Sequence, residues 1–174
     1  MSLNHQPEET IAAVATAIAT GQGGIAVIRI SGPLSTEVGQ SVVSIPGKQS
    51  WESHKVLFGY VMDKSKKERI DEVLILVMQA PRSFTGEDVV EIHCHGGLIA
   101  VQRVLERVLS HTKVRRAFPG EFSQRAVING RLNLTQAEAV SELISARSKK
   151  AAQLAMAGVN GGVKSRITTI RDRL

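Results

Sequence analysis

Glu91, His93 and His95 recur at every second position in the segment VVEIHCH, inside a fifteen-residue stretch, SFTGEDVVEIHCHGG, that also carries Glu87, Asp88 and the only cysteine, Cys94. Such side chains could hold a metal, move protons or read a ligand. On a strand, alternate residues share a face. Glu91, His93 and His95 therefore form one polar face, and Val90, Ile92 and Cys94 form an apolar one. Cys94 cannot join its neighbours on one ion without bending the strand. No second Cys/His cluster supplies a closed zinc site, so strand-end histidines satisfied by protein groups are expected rather than a structural metal. A carboxylate on a rigid strand can accept two parallel hydrogen bonds from an amidine-like N–H pair, as presented by guanidinium, guanine or a pterin. For Glu91 the competing reading is an ordinary ion pair with an arginine.

Two arginines stand out. Arg29 interrupts the apolar run IAVIRIS, where a charge is costly unless paired or ligand-bound. Arg131 follows a turn signal, Asn129-Gly130, and could clamp a carboxylate; the alternative is a solvated arginine. Two glycine-rich stretches fail as nucleotide loops. GQGGIAVIRI precedes a strand, whereas a dinucleotide fingerprint follows one and opens a helix. GVNGGVKS places Val163 where a phosphate loop needs its second glycine for the backbone to approach the phosphates.

The elements around these residues are legible from periodicity. IAVIRIS reads as a buried strand, while ETIAAVATA fits a strand or a helical turn. SGPLSTEVGQSVVSI reads as a helix, with Gly32 as a cap and Pro33 in its first turn. KVLFGYVMD and IDEVLILVMQ, joined by KSKKER, read as a hairpin, and Trp51 as a loop residue. Leu98, Val101, Leu105 and Val108 mark an amphipathic helix. RRAFPGEFSQRAVING gives a short extended piece, a Pro119-Gly120 turn and a short helix. Thr135-x-x-Glu138 fits a capping box. From Thr135 to Leu174 the composition is helical, about 60 Å if unbroken, weakened at GVNGG and without a partner helix in the chain. The expected organisation is an α/β domain over 1–130 and, over 131–174, the first piece of a helical domain belonging to a larger protein.

Composition narrows the class. The formal charge is +6 over 174 residues, which suits an anionic partner. Aromatics are only 3%, which argues against a base-stacking platform. One cysteine excludes an intrachain disulfide and fits a reducing compartment. The absence of a long apolar run and of a signal-like start points to the cytoplasm, not the membrane.

The blocks TIAAVAT, IAVIRISGP, SFTGEDVVEIHCHGG and FPGEFSQRAVINGRLNLTQAEAVSELI together resemble the N-terminal segment of the MnmE (TrmE) family of tRNA modification GTPases, from about Glu9 to the end. That resemblance implies a mixed-sheet α/β (α+β) domain similar to the folate-binding part of the aminomethyltransferases, then the first helices of an all-α domain. It implies homodimerisation and a bound 5-formyl-tetrahydrofolate. By motif position the folate contacts fall on Arg29, Glu91 and Arg131, with no catalytic residue and no metal site in this segment. It also implies a G domain outside this chain, using GTP, potassium and magnesium. An MnmG-like FAD protein would complete a heterotetramer that modifies C5 of the wobble uridine of certain tRNAs. The loop ATAIATGQGGI departs from the family's Thr-Pro-Pro-Gly-x-Gly-Gly form. Two rival functions follow from the same residues: a basic nucleic-acid-binding module without a folate site, and a self-sufficient folate-dependent transferase.

Overall fold

Alternation of buried and more exposed residues marks most of the segments Ile25–Ser31 and Val56–Met62. In the computed structural model, which describes residues 9–18 and 23–161, the chain separates at Pro119–Gly120 into two units. The first carries β1 (Thr10–Val14), β2 (Ile25–Ser31), α1 (Ser35–Val42), β3 (Val43–Ser44), β4 (Val56–Met62), β5 (Arg69–Met78), β6 (Val89–His95), α2 (Leu98–Leu109) and β7 (Val114–Arg116). The seven strands form one mixed sheet in the order β3-β4-β5-β6-β2-β1-β7. β1 and β7 pair in parallel and the other pairs are antiparallel. ETIAAVATA thus resolves as a strand, and the expected hairpin is β4–β5, with Phe58 opposite Leu74 and a register shift at Val61/Met62.

α1 and α2 both bury into one face of the sheet, where Ala26, Ile28, Ile30, Leu57, Val61, Val73, Ile75, Val77, Val90, Ile92 and Cys94 form a continuous apolar core with Val38, Val42, Val101, Val104, Leu105 and Val108. Trp51 packs against this core from its loop. Burying side chains of this size contributes about 1.5–3 kcal/mol each before entropy is charged against it. Two details differ from the sequence reading. Leu98, the first residue of α2, is 39% exposed, and Val104 takes its place in the buried set. α1 begins at Ser35, beyond Pro33, where the Ser35 hydroxyl donates to the carbonyls of Gly32 and Asp88.

The second unit contains α3 (Glu121–Ile128), α4 (Leu134–Ser145) and α5 (Lys149–Val159). Asn129-Gly130 ends α3 as a Schellman motif: Gly130 has φ +70°, its N–H donates to Val127 O, and Arg131 N–H donates to Ala126 O. The capping box of α4 is formed by Asn133 and Gln136, not by Thr135 and Glu138. Asn133 Oδ1 accepts from Gln136 N at 2.8 Å, and Gln136 Oε1 accepts from Asn133 N at 3.0 Å. Asn serves the same role as Ser or Thr here, so the motif begins two residues earlier. The helical tail is not one rod. Ala146 is extended (φ −61°, ψ 125°), and Ser148 caps α5 by accepting from Ala151 N. Nor does it lack a partner. α5 folds back on α4, with Gly158 against Ala139 and the Gln136 amide donating to Val159 O at 2.8 Å. The remainder of the expected helix lies outside the described residues. Replacing Asn133 by alanine is expected to cost about 1 kcal/mol, read by chemical denaturation, with Thr135→Ala costing less.

Candidate ligand site

The β2–β6 register sets Arg29 directly opposite Glu91, on the sheet face away from α1 and α2. Arg29 Nε and Nη2 both lie 2.7 Å from Glu91 Oε1, with side-chain exposures of 23% and 12%. The Phe84 ring lies 5.3 Å from the guanidinium, close enough for a cation–π contact. The charge that interrupts IAVIRIS is therefore offset by a carboxylate one strand away. Of the two readings of Glu91, the arginine ion pair is present. It leaves one oxygen unused. Oε2 accepts no hydrogen bond among the described residues, and His93 Nε2 lies 3.5 Å from it. That nitrogen is buried and has no hydrogen-bond partner among the described residues.

His95 is placed differently. Asp71 on β5 accepts from both the His95 backbone N–H (2.8 Å) and its Nδ1 (2.6 Å). The hydrogen bond to Asp71, and then that carboxylate's charge, raise the His95 pKa above its ordinary 6.5. A histidine with a raised folded pKa adds stability that is fully present below pH 6.5 and is lost as pH rises through the raised value. The melting-temperature difference between the native protein and His95→Gln should therefore be greatest below about pH 6.5 and shrink at higher pH. A pH series of thermal melts checks this.

Cys94 faces the core, with Sγ 3.6 Å from Ala26 O, and burial pushes its thiol up to about 11. It stands apart from the histidines, as strand alternation requires. Among the described residues no three His, Cys, Asp or Glu side chains are placed to hold a metal ion. The acidic half of the stretch is structural. The Ser31 hydroxyl bonds Thr85 Oγ1 and Glu87 Oε2, each at 2.7 Å; Ser83 donates to Glu87 O, and Asp88 Oδ1 accepts from Ala80 N. These bonds pin the turn before β6 to the end of β2.

Beside His93 opens a groove of about 360 Å³, walled by Ile25, Phe58, Glu72, Leu74, His93 and His95 among others. That volume lies at the small end of ligand clefts. Ile25 and Leu74 are 67% and 48% exposed there. Arg131 belongs to the second unit, where it is an exposed residue just past the αL glycine that ends α3. The groove, Phe84 and Asp71 did not emerge from the sequence. Only the lone aromatic in the turn before β6 hinted at Phe84.

A family model for "GTP-binding protein TrmE N-terminus" matches residues 10–131. A Prochlorococcus marinus protein named tRNA modification GTPase MnmE is 74% identical over 96% of this chain and 36% of its own length. A Synechococcus protein of the same name is 70% identical over 97% of the chain and 37% of its length. The chain thus spans little more than a third of these relatives. No helix among the described residues is long and apolar enough to cross a membrane. The mixed sheet and the family match together establish that the chain belongs to the TrmE N-terminal family.

Proposed function

We propose that this chain is the folate-binding, dimerising segment of a tRNA modification GTPase. The observation that carries this reading is the Arg29–Glu91 pair, held across β2 and β6 on the face opposite α1 and α2, next to His93, which lines a groove of about 360 Å³. The donor set fits a reduced pterin. Glu91 Oε2 accepts no hydrogen bond among the described residues and is matched to an N–H group along the pterin edge. Arg29 fixes the carboxylate. The ligand is 5-formyl-tetrahydrofolate, which supplies a one-carbon unit when bound; this chain's residues bind and orient it. A second copy of the chain completes a homodimer.

GTP, potassium and magnesium act in a G domain outside this chain. With an MnmG-like FAD protein, the assembly modifies C5 of the wobble uridine of certain tRNAs in the cytoplasm. Calorimetry with 5-formyl-tetrahydrofolate tests the central claim. Saturable binding at one site per chain supports it, and the absence of heat at high ligand concentration rejects it. Sedimentation tests the dimer, which a monomer at every concentration would exclude.

A further inference from the structure

Arg107 and Lys66 bring two positive charges to the edge of the sheet, and neither pairs with a carboxylate among the described residues. Arg107, on α2, spends its guanidinium on neutral partners. Nε and Nη2 donate to Met62 O and Ser41 O at 2.8 and 2.9 Å, and Nη1 donates to the Ser110 hydroxyl at 3.2 Å. Ser41 and Met62 also wall a recess of about 180 Å³, together with Val42, Val43, Ser44 and Lys66. Lys66 stands in the β4–β5 turn with a left-handed φ of +58°, a conformation uncommon outside glycine and asparagine. The turn holds it there. Asp63 O accepts from Lys66 N at 3.0 Å, and Asp63 Oδ1 accepts from Lys67 N at 2.8 Å and Glu68 N at 3.1 Å. The Ser65 hydroxyl donates to the same carboxylate, so Asp63 directs its charge at the turn's own N–H and O–H groups. Glu68 is taken by Arg103 at 2.9 Å. Lys64, Lys66 and Lys67 are exposed, and none has an ion-pair partner among the described residues.

We propose that this recess and the turn beside it form a docking site for the phosphate groups of an RNA strand. The inference rests on the reading of RNA as the substrate of the assembly, and it says where the strand lies on this chain. A phosphate in the recess meets the Lys66 ammonium and the Ser44 hydroxyl, with the Arg107 charge behind Ser41 and Met62. Lys64 and Lys67 take the neighbouring phosphates. Cations spread along a turn suit a polymer of phosphates, because each contact releases counter-ions from the strand. The exposed Glu106 bounds the patch on α2. From the turn, β5 leads back to the ligand groove. Arg69 lies over the Tyr60 ring at 4.0 Å, Tyr60 meets Phe58 edge-on at 5.3 Å, and Phe58 walls the groove. The outer face of the exposed Arg69 is open to an unpaired base. An RNA loop held at the turn is thereby led toward the groove.

The test is fluorescence-anisotropy titration of a labelled RNA stem–loop over a salt series from about 0.05 to 0.2 M. Lys64→Gln, Lys66→Gln and Lys67→Gln together should lower the slope of log K against log salt by about 2 and weaken binding about 100-fold at about 0.1 M salt. Lys113→Gln, Lys149→Gln and Lys150→Gln together remove the same charge from other exposed positions and should leave slope and affinity nearly native. The turn lysines are exposed, so their loss should keep the fold. The Lys64→Gln, Lys67→Gln double variant leaves the left-handed residue intact; it should lose about 1.4 in slope and decides the result if the triple variant melts early. An unchanged slope in the turn variants, or an equal loss in the control triple, overturns the site. Inorganic phosphate binding as tightly as the RNA in calorimetry assigns the recess to a free phosphate and overturns the RNA docking. Folate calorimetry separates this inference from the reading beneath it. A native protein that binds folate but no RNA loses the docking site alone, and one that binds neither loses both.

Discussion

Glu91→Gln is expected to weaken 5-formyl-tetrahydrofolate binding by about 100-fold, the equivalent of about 2.7 kcal/mol. Glutamine keeps the size and one acceptor but loses the charge that strengthens each N–H bond, an effect of about 1.5–3 kcal/mol for bonds to an ionised group. Glu91→Ala should cost more, and should also cost stability, because it takes the carboxylate from a largely buried Arg29 (23% exposed). Breaking such a pair from one side costs about 3 kcal/mol. The two variants separate binding from folding. Glutamine should melt within a few degrees of the native protein and bind poorly, whereas alanine should lose on both counts. Native affinity in a folded Glu91→Gln protein would sink the assignment of this carboxylate to the ligand.

Much of that site could be read before any coordinates. Period-two alternation placed Glu91, His93 and His95 on one face and Cys94 on the other, because strand geometry leaves no alternative. The misplaced charge in IAVIRIS marked Arg29. What the sequence withheld was pairing. Nothing local says that β2 lies beside β6 with Arg29 opposite Glu91, since register depends on the whole sheet. Asp71 stands 24 residues before His95 and was invisible as its partner. The helical tail shows a different limit. Asn133 and Thr135 are both competent caps, and the choice between them rests on where α3 ends. The fold-back at Ala146 has no glycine or proline to announce it.

Gly96→Ala is expected to cost about 3 kcal/mol of stability, or roughly a 10 °C fall in melting temperature. The "HGG" that ends β6 reads in sequence as a swivel into α2. The structure gives Gly96 a further duty. A methyl group there would overlap Gly23 O and sit 2.7 Å from the carbonyl carbon of Gly23. These are backbone atoms, and they cannot rotate aside. Gly96 N–H also donates to Gly24 O at 3.2 Å, so the two glycine segments lock the open ends of β2 and β6 together. Gly97→Ala is the control. Its added carbon meets nothing within 4 Å, and its φ of −65° is one that alanine adopts freely. Thermal melts of the two variants should differ sharply. Equal melting temperatures would show that the Gly23–Gly96 contact does not constrain the sheet.

The order of the strands has a consequence for how this protein opens and closes. β6 is the middle strand of seven, and β2, beside it, is also paired on both sides. Amides at such positions trade hydrogen for deuterium only when the whole unit unfolds, whereas edge strands and loops exchange through small local openings. Arg29 and Glu91 stand on the part of the sheet that lets go last. An occupant that binds only the folded sheet adds its binding energy to the global unfolding free energy. It should slow exchange at every amide that opens only by global unfolding, including those that never touch the ligand, and leave the locally opening edge strands unchanged.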